Sequence, residues 1–493
     1  MNAPLWRHGA LALSFALLPA ALGAQAAGPT LTLDQAVRAA RENNPDFLQT
    51  ANDLRGSRAA VRQARMDLLP TAAATSGFNY TAPGEVRSGS VTLASQQPSS
   101  YISDFSLGAN YQMSGSKLLA PTVARAQERA TAQRIAGSEA NLVGNVVQEY
   151  LSVLQAQEEV EQAEHEVART AEHVRLAQAR LTVGAGTPLD LRSAQVQKGQ
   201  ADVKLVQQQA TLETERLRLG QLMGAPLQPG THLVSQFQLF EPGWSADSLV
   251  AIAIRNNPNL LAARATASAA GTQIRQARTA YLPSLSMYVQ QTGYTERLGS
   301  GYYDQLLSRA TSTAQSCQTE NVIFKAVGLP ENTCADPTSA AFQSQLRGLV
   351  NDQNSRYPFH YTRQPWQAGL TLTLPVFSGG SRARQVEEAR VAAQDASLAV
   401  RSLELKLQAD ISGALLTLST AYRTAQLQEE VRQQAAEQLR LAQERFRYGA
   451  ANSVDVTDAE ANLDQAERAK INAVYAFHKS LAALEALIGQ PLR

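Results

Sequence analysis

The sequence predicts a mainly α-helical chain with a few β-strands of the membrane type. Residues 382–448 contain no proline and one glycine, and are otherwise rich in Ala, Leu, Gln, Glu and Arg, which favour helix. A second proline-free run, residues 454–488, follows a glycine turn. At about 1.5 Å per residue the first run spans roughly 100 Å, so the two runs predict a very long helical hairpin. Elsewhere, four stretches alternate apolar and polar side chains, as membrane strands do.

Residues 1–26 are predicted to be a secretory signal peptide. Arg7 and His8 precede an apolar core at 11–22, and Ala24-Gln25-Ala26 fits a cleavage site. The alternative is a buried N-terminal helix. After residue 26 the sequence has no run of about 18 apolar residues, so it offers no transmembrane helix. An exported chain of this kind that crosses a membrane must use strands. No cysteine stands directly after the cleavage site, so a lipid-anchored N-terminus is not expected.

Charge and motifs argue against two large classes of function. Lys and Arg number 44 and Asp and Glu 43, so a net charge of +1 gives no reason to expect a nucleic-acid partner. The six histidines are scattered, and the sequence has no phosphate-binding loop, Cys-x-x-Cys pair or nucleophile elbow. We therefore expect no enzyme activity, no catalytic residue, no metal site and no cofactor.

Two sets of matching residues keep a constant spacing along the chain, which predicts a duplication. The first set recurs after 213 residues and the second after 265 residues. A spacing that stays constant over several matches is not expected by chance. The predicted parts are a first repeat at 27–230, a linker at 231–247 and a second repeat at 248–493. Long helical hairpins are predicted at 117–223 and 382–488. The matching pairs are Asn44-Pro45 and Asn257-Pro258, Leu69-Pro70 and Leu282-Pro283, Gly184 and Gly449, and Asp190 and Asp455.

Each repeat carries two of the alternating stretches. In one of them every odd-numbered residue from Phe105 to Met113 is apolar or aromatic, and the residues between are small or polar. The alternative for a single stretch is a soluble hairpin with one wet face. Four strands cannot close a barrel, and an open strand edge is prohibitive in lipid, so we expect the strands to be pooled across subunits. The predicted strands are at about 71–80, 104–113, 284–292 and 366–377.

The change of spacing from 213 to 265 residues places an insertion of 52 residues in the second repeat. Polar residues are common there and prolines interrupt it, so residues 295–365 are predicted to form an elaborated loop. Cys317 and Cys334, the two cysteines of the chain, lie in this loop. A disulfide between them is predicted, worth on the order of 3 kcal/mol in the chain-entropy model. Free thiols and a metal pair are the alternatives.

These features together resemble the TolC family of outer-membrane efflux proteins. The resemblance rests on the paired Asn-Asn-Pro motifs, the Leu-Pro before each first strand, Ser378-Gly-Gly before the long helix and the glycine-to-aspartate segments at the hairpin turns. It covers nearly all of the mature chain. It implies a trimeric fold in which four strands from each copy form a 12-stranded β-barrel in the outer membrane. The barrel stands on a long periplasmic α-helical barrel, whose tips are predicted coiled coils because apolar residues recur every seven positions from Val160 to Leu181.

The resemblance also assigns roles at the hairpin turns. Asp455 and Asp458 match aspartates that line the periplasmic constriction in the family, so they are the predicted gate. The alternative for both is helix capping and a solvated face. Asp190 is the counterpart in the first repeat, where the family uses it to tether neighbouring hairpins. The sequence departs from the family pattern here, because the gate arginine position holds Ala451 and the aromatic partner is Phe446. The other tether candidates are Arg192, Arg447 and Tyr448.

The function implied by the resemblance is a passive exit duct of a tripartite efflux pump or type I secretion system. The implied partners are two further copies of the chain, a periplasmic adaptor protein, an inner-membrane efflux transporter or ABC exporter, and outer-membrane lipid. The implied location is the outer membrane of a Gram-negative bacterium, extending into the periplasm. Small molecules and proteins both stay open as cargo, because the pump selects it. The alternative function is a periplasmic coiled-coil adaptor without a pore.

Overall fold

A computed structural model describes residues 30–228, 230–234 and 237–492. The predicted signal peptide lies outside these residues. Within them, no helix is both long and apolar enough to cross a membrane. The chain divides into two compact units. Unit 1 comprises the residues up to 52, residues 134–261 and the residues from 403 on, and unit 2 comprises residues 53–133 and 262–402.

The helices account for most of the described chain, and two of them are very long. They are α1 (Leu33–Asn43), α2 (Pro45–Met66), α3 (Gly115–Thr182), α4 (Pro188–Met223), α5 (Ala246–Asn256), α6 (Pro258–Arg278), α7 (Tyr302–Ala326), α8 (Ala340–Ser355), α9 (Ser381–Arg447) and α10 (Ser453–Ile488). With 67 residues, α9 matches the proline-free run at 382–448, and α3, with 68 residues, is its counterpart in the first repeat. The shorter α4 and α10 each have 36 residues, so the two hairpins are built alike.

Local sequence sets where the short helices begin and end. The Thr32 side chain accepts a hydrogen bond from Gln35 N, and the Gln35 side chain accepts one from Thr32 N, which makes a capping box at the start of α1. The helix ends at Asn44 because Pro45 follows, and proline pushes the residue before it out of the helical region.

The core of unit 1 is formed by α1, α3, α4 and α10. Its largest fully buried side chains include Tyr150 on α3, Leu219 on α4 and Phe477 on α10. The Tyr150 hydroxyl lies 2.7 Å from Leu31 O and 2.9 Å from Val234 O. These carbonyls belong to or adjoin β1 (Thr30–Leu31) and β6 (His232–Leu233), which pair in parallel. The buried Tyr150 hydroxyl therefore holds β1 beside the segment that links the repeats.

The sheet of unit 2 has the order β2-β5-β7-β9, and all its pairs are antiparallel. The short β8 also pairs with β7. A separate hairpin, β3–β4, was not predicted from the sequence. The strand predicted at 366–377 is shorter in the structure, because Pro375 has no backbone N–H to give to a ladder. The strands are β2 (Thr71–Thr81), β3 (Gly84–Ser88), β4 (Val91–Gln97), β5 (Ser100–Met113), β7 (Ser284–Leu298), β8 (Thr362–Arg363) and β9 (Gln367–Thr373).

The register of the sheet gathers the apolar residues of all four strands on one side. Leu107 lies opposite Ala74, Ala109 lies opposite Val289, and Met287 lies opposite Leu370. Since directly opposed residues share a face, these side chains form one surface, which we call the apolar face. The other face carries serine, threonine, asparagine and glutamine at most positions.

The insertion is more regular than the predicted loop at 295–365. The strand β7 continues to Leu298, and α7 and α8 occupy much of the rest. The helical pattern was missed because α7 is largely polar and most of its second half is exposed, so no apolar stripe marks it in the sequence. Cys317 on α7 and Cys334 form a disulfide with a Cα–Cα distance of 5.8 Å.

Candidate functional site: the hairpin turns

The turn between α3 and α4 is closed by glycine and a capping box. Gly184 has a φ of 74°, a left-handed conformation that glycine adopts without a steric penalty. Thr187 is the N-cap of α4, and its hydroxyl accepts from Asp190 N at 3.2 Å. The Asp190 carboxylate in turn accepts from Thr187 N at 3.0 Å. The Asp190 side chain is therefore held in place by its own helix start.

The turn between α9 and α10 repeats this construction. Gly449 has a φ of 76°, and Asn452 is the N-cap of α10. The Asn452 amide oxygen accepts from Asp455 N at 2.9 Å, and the Asp455 carboxylate accepts from Asn452 N at 3.2 Å. Asp190 and Asp455 thus occupy the same place in the two hairpins.

A hydrogen bond joins the two turns. The Ser453 hydroxyl donates to Asp190 Oδ1 at 2.5 Å, across 263 residues of sequence. This bond, followed by those from Thr187, holds the pKa of Asp190 below its usual value. Asp190 was predicted as a tether candidate, but Ser453 was not, because a serine at a helix start has an ordinary local role.

A second contact joins the same turns through Arg180, which the sequence analysis also missed. The Arg180 guanidinium lies 4.2 Å from the centre of the Phe446 ring, and its Nη1 donates to Phe446 O at 3.2 Å. Of the other predicted tether residues, Arg192 donates to Gln195 on its own helix, and Arg447 and Tyr448 are exposed. The two turns of one chain are therefore joined by Arg180–Phe446 and Asp190–Ser453.

The predicted gate residues both face solvent. Asp455 and Asp458 are exposed, while Val456 and Ala459 beside them are buried against the neighbouring helix α9. The capping alternative holds for Asp455, because one oxygen of its carboxylate accepts from the backbone N–H of the N-cap residue Asn452. Two exposed carboxylates one helical turn apart form an acidic patch at the start of α10.

A cavity of about 340 Å³ lies between the two turns. Arg180 and Asp190 reach it from the first hairpin, and Phe446 and Ser453 reach it from the second. Its walls therefore include the side chains that make the two inter-turn contacts.

Further along the hairpins, charged side chains from three helices meet in the interior. Lys204 on α4 lies 2.6 Å from a carboxylate oxygen of Glu166 on α3 and 2.9 Å from one of Asp464 on α10. Asp464 also pairs with Arg468 and accepts from the Gln162 side chain. We call Glu166, Lys204, Asp464 and Arg468 the charge cluster.

Burial shifts the protonation of several groups in this region. It raises the pKa of Glu166 to about 7, and the neighbouring Asp464 carboxylate adds to the rise. Burial also raises the pKa of Glu460 to about 7 and lowers the pKa of His173, whose Nε2 lies 3.2 Å from Glu460 Oε1. Both partners of this pair therefore favour their neutral forms. The sequence does not reveal these contacts, because the groups come together only when the helices pack.

The two cysteines lie in unit 2, and the hairpin turns lie in unit 1. Across the described residues there is no group of three or more His, Cys, Asp or Glu side chains placed to hold a metal ion. The features that the hairpin turns offer are thus an acidic patch and a set of polar contacts between two hairpins.

Comparison with protein families gives one clear match. The family model described as outer membrane efflux protein matches residues 36–225 and 338–490. The part of the second repeat before residue 338, which includes α7, falls outside the matched ranges.

Individual relatives match along most of the chain. The outer membrane protein TolC of Vibrio cholerae is 26% identical over 463 residues, covering 91% of this chain and 89% of that protein. The pyoverdine export outer membrane protein OpmQ of Pseudomonas putida is 24% identical and covers 88% and 81%. The crystal structure of the CmeC outer membrane channel of Campylobacter jejuni superposes with a TM-score of 0.68 at 16% identity, over 93% of this chain and 85% of that one. At that identity the structural likeness speaks for the fold.

Proposed function

This chain belongs to the outer membrane efflux protein family, and we propose that three copies of it form a passive exit duct across the outer membrane. As a member of that family it lies in the outer membrane of a Gram-negative bacterium and extends into the periplasm. The work of transport comes from partner proteins, because the sequence offers no nucleotide-binding motif.

The unit 2 sheet is the observation that carries this proposal. Four antiparallel strands present one apolar face, and the sheet ends in β2 on one side and in β9 on the other. Open strand edges are prohibitive in lipid, since every N–H and C=O group there needs a partner. Strands of further copies satisfy both edges. The β2 edge of one copy pairs with the β9 edge of the next, which closes a barrel of 12 strands from three copies.

In this duct the hairpin turns form the periplasmic entrance. Threefold symmetry turns Asp455 and Asp458 into two rings of three carboxylates around the axis. Such rings attract cations and repel one another, so a tightly closed entrance is costly without cations. A periplasmic adaptor and an inner-membrane transporter or exporter dock at the turns and hold the entrance open. The cargo is a small molecule or a protein that the inner-membrane partner selects.

Single-channel conductance in a planar bilayer tests the duct and the gate together. The wild-type protein is expected to give a small cation-selective current that multivalent cations block. The Asp455→Ala/Asp458→Ala variant should keep the current and lose the block. The Asp395→Ala variant is the control, because that carboxylate is exposed on α9 in unit 2 and should leave the block unchanged.

The possible outcomes separate the two parts of the proposal. Current with equal block in all three proteins would keep the duct and place the constriction at other residues. Absence of current in every protein would contradict the duct and favour an adaptor without a pore.

A further inference from the structure

The last segment of the insertion, residues 357–361, packs on the sheet. The Tyr361 ring lies 4.9 Å from the Phe105 ring, and the Tyr361 hydroxyl lies 3.1 Å from Ser103 Oγ. Two further ring pairs extend the contact, Tyr101 with Tyr357 at 6.3 Å and Phe78 with Phe359 at 6.4 Å. We call these six aromatic residues the aromatic patch. Ser103 is 0% exposed beneath it, so the packing is close.

The aromatic patch lies at one end of the apolar face. Side chains alternate along a strand, so Tyr101, Ser103 and Phe105 share the face of Leu107. Phe78 joins them because it lies opposite Ser103. The covered end of the face is therefore aromatic, and the uncovered remainder is mainly aliphatic.

Two arginines flank the patch on the same face. Arg297 lies opposite Tyr101, and Arg363 on β8 lies opposite Gly293, which Phe105 covers. Both arginines are exposed. Among the described strand residues of this end of the face, none is a carboxylate. The combination of exposed rings and unopposed positive charge fits the boundary between acyl chains and anionic head groups.

From this placement we propose that residues 357–361 are a membrane-interface anchor, seated with the aromatic patch in the head-group layer of the outer leaflet. The lipid phosphates are bound by Arg297 and Arg363. The inference rests on the proposed function, because it requires that the apolar face meets lipid. In the proposed arrangement the insertion is held at the membrane surface by these rings. An insertion that covered the pore would instead place the rings against other copies of the chain.

Exposure supports lipid as the occupant. Phe359 is 69% exposed and its partner Phe78 is 60% exposed, although the two rings already pack on each other. Aromatic rings left this open in water are unfavourable, and at a bilayer interface the same rings are stabilised. The aromatic patch is continuous with the aliphatic part of the apolar face, so both are expected to contact lipid if either does.

Spin labelling tests the anchor in the full-length protein in bilayers. The Phe359→Cys variant allows a single label, because the two native cysteines are joined and the described chain has no free cysteine. Leu370→Cys on the apolar face, where the side chain is 66% exposed, is the lipid control. Tyr448→Cys at a hairpin turn, where the side chain is 84% exposed, is the water control.

The measured quantity is the ratio of collisions with oxygen to collisions with a water-soluble nickel chelate. We expect the ratio at position 359 to exceed that at position 448 by about threefold or more, and to lie at or below that at position 370. A ratio at 359 equal to that at 448 would overturn the anchor and leave the duct intact. Low collision rates with both reagents at 359 would also overturn it, in favour of contact with another copy. A water-like ratio at 370 would remove the proposed function and the anchor together.

Lipid charge tests the two arginines. Anionic phospholipid in a neutral bilayer should reduce the nickel collisions at position 359, and the Arg297→Gln/Arg363→Gln variant should abolish that reduction. Arg309→Gln is the control, since Arg309 is exposed on α7 outside the patch and should leave the reduction unchanged. Equal responses in all three proteins would overturn the role of the arginines.

Discussion

The two repeats are alike where their short helices meet the ends of the hairpins, and they differ at the hairpin turns. Asn44 donates to Leu222 O at 2.9 Å, and Asn257 donates to Leu487 O at 2.8 Å. Each asparagine also caps the helix that follows, with contacts of 2.9 Å to Phe47 N and 2.8 Å to Leu260 N. In both repeats this asparagine therefore bonds to the end of the hairpin and caps the next helix.

At the turns the same comparison has a different result. Asp190 and Asp455 both complete a capping box, but only Asp190 also accepts from the other hairpin. The reason lies in the donor. Ser453 has a hydroxyl, and the residue at the matching place in the first repeat is Pro188, which has none. This difference in residue type gives the first aspartate a partner in the other hairpin and leaves Asp455 exposed to solvent.

The charge cluster shows the same asymmetry inside the hairpins. At the spacing of 265 residues, the places of Glu166, Lys204 and Asp464 are taken by Val431, Ala469 and Gly199. The cluster takes side chains from both repeats, and the positions that match these three residues hold no charged residue. Local structure is shared between the repeats, and the contacts between hairpins are where they have diverged.

The largest expected effect on stability comes from a glycine at the hairpin end, where the two repeats are alike. Gly224 has a φ of 71°, and an added Cβ would overlap the backbone oxygen of Asn43. The left-handed conformation and the overlap together predict that Gly224→Ala lowers the free energy of unfolding by about 3 kcal/mol or more. Gly184→Ala, with a φ of 74° and open space around it, should cost only about 1 kcal/mol.

Thermal unfolding followed by circular dichroism measures both glycine variants. Equal losses in the two would mean that the backbone contact at Asn43 is absent. Gly489→Ala should behave like Gly224→Ala, because its added Cβ would lie 2.7 Å from Asn256 O.

The next effect tests whether the repeats are equivalent at this end. Asn44→Ala and Asn257→Ala each remove a helix cap and leave a carbonyl without its partner. Each should lower the free energy of unfolding by about 1–2 kcal/mol, and by similar amounts. Chemical denaturation of the purified protein gives the two values. A difference greater than about 1 kcal/mol would show that one junction carries more of the structure than the other.

A smaller effect separates the two aspartates at the turns. A double-mutant cycle of Asp190→Ala with Ser453→Ala should give a coupling energy of about 1 kcal/mol, since a hydrogen bond to a carboxylate is lost. The cycle of Asp458→Ala with Ser453→Ala is the control and should give none. Coupling should fade as pH falls through the lowered pKa of Asp190, because the protonated acid accepts less strongly. Similar coupling in both cycles would refute the asymmetry.

The smallest expected effect concerns the charge cluster. The pKa of Glu166 is raised to about 7, so the folded protein binds a proton that the unfolded chain releases near its usual value of 4.5. Its contribution to stability is full below pH 4.5 and is lost as pH rises through 7. Between pH 6 and pH 7 this one group changes the free energy of unfolding by about 1 kcal/mol.

Denaturation at several pH values in Glu166→Gln should show a shallower slope over that interval. Glu437→Gln is the control, because Arg440 lowers the pKa of that exposed carboxyl and it does not titrate there. An unchanged slope in Glu166→Gln would show that another group, such as Glu460, carries the dependence.

Sequence reasoning succeeded where the information is local. The start of α1 follows from Thr32 and Gln35, and its end follows from Pro45. The strand expected at about 71–80 lies at Thr71–Thr81, because alternation and a preceding proline mark it. The family assignment rests on such local marks, and the family model that matches residues 36–225 and 338–490 confirms it.

The contacts between hairpins could not be found in the same way. Arg180 and Phe446 are 266 residues apart, and nothing in either segment names the other as its partner. Phe446 was a candidate only because it replaces a hydroxyl-bearing aromatic of the family. The charge cluster joins three helices, and each of its members reads in isolation as an ordinary surface charge. Partner choice depends on helix packing, which a single sequence does not state.

The disulfide has a consequence for damage to the insertion. Cys317 lies near the middle of α7, and Cys334 follows 17 residues later in an exposed stretch without regular structure. A protease that cuts the chain between them leaves two fragments joined through sulfur. The nicked protein therefore migrates as one chain on a denaturing gel, and it separates into two bands only after a reducing agent is added. Cleavage in this stretch therefore leaves β9 and everything after it attached to the rest of the chain.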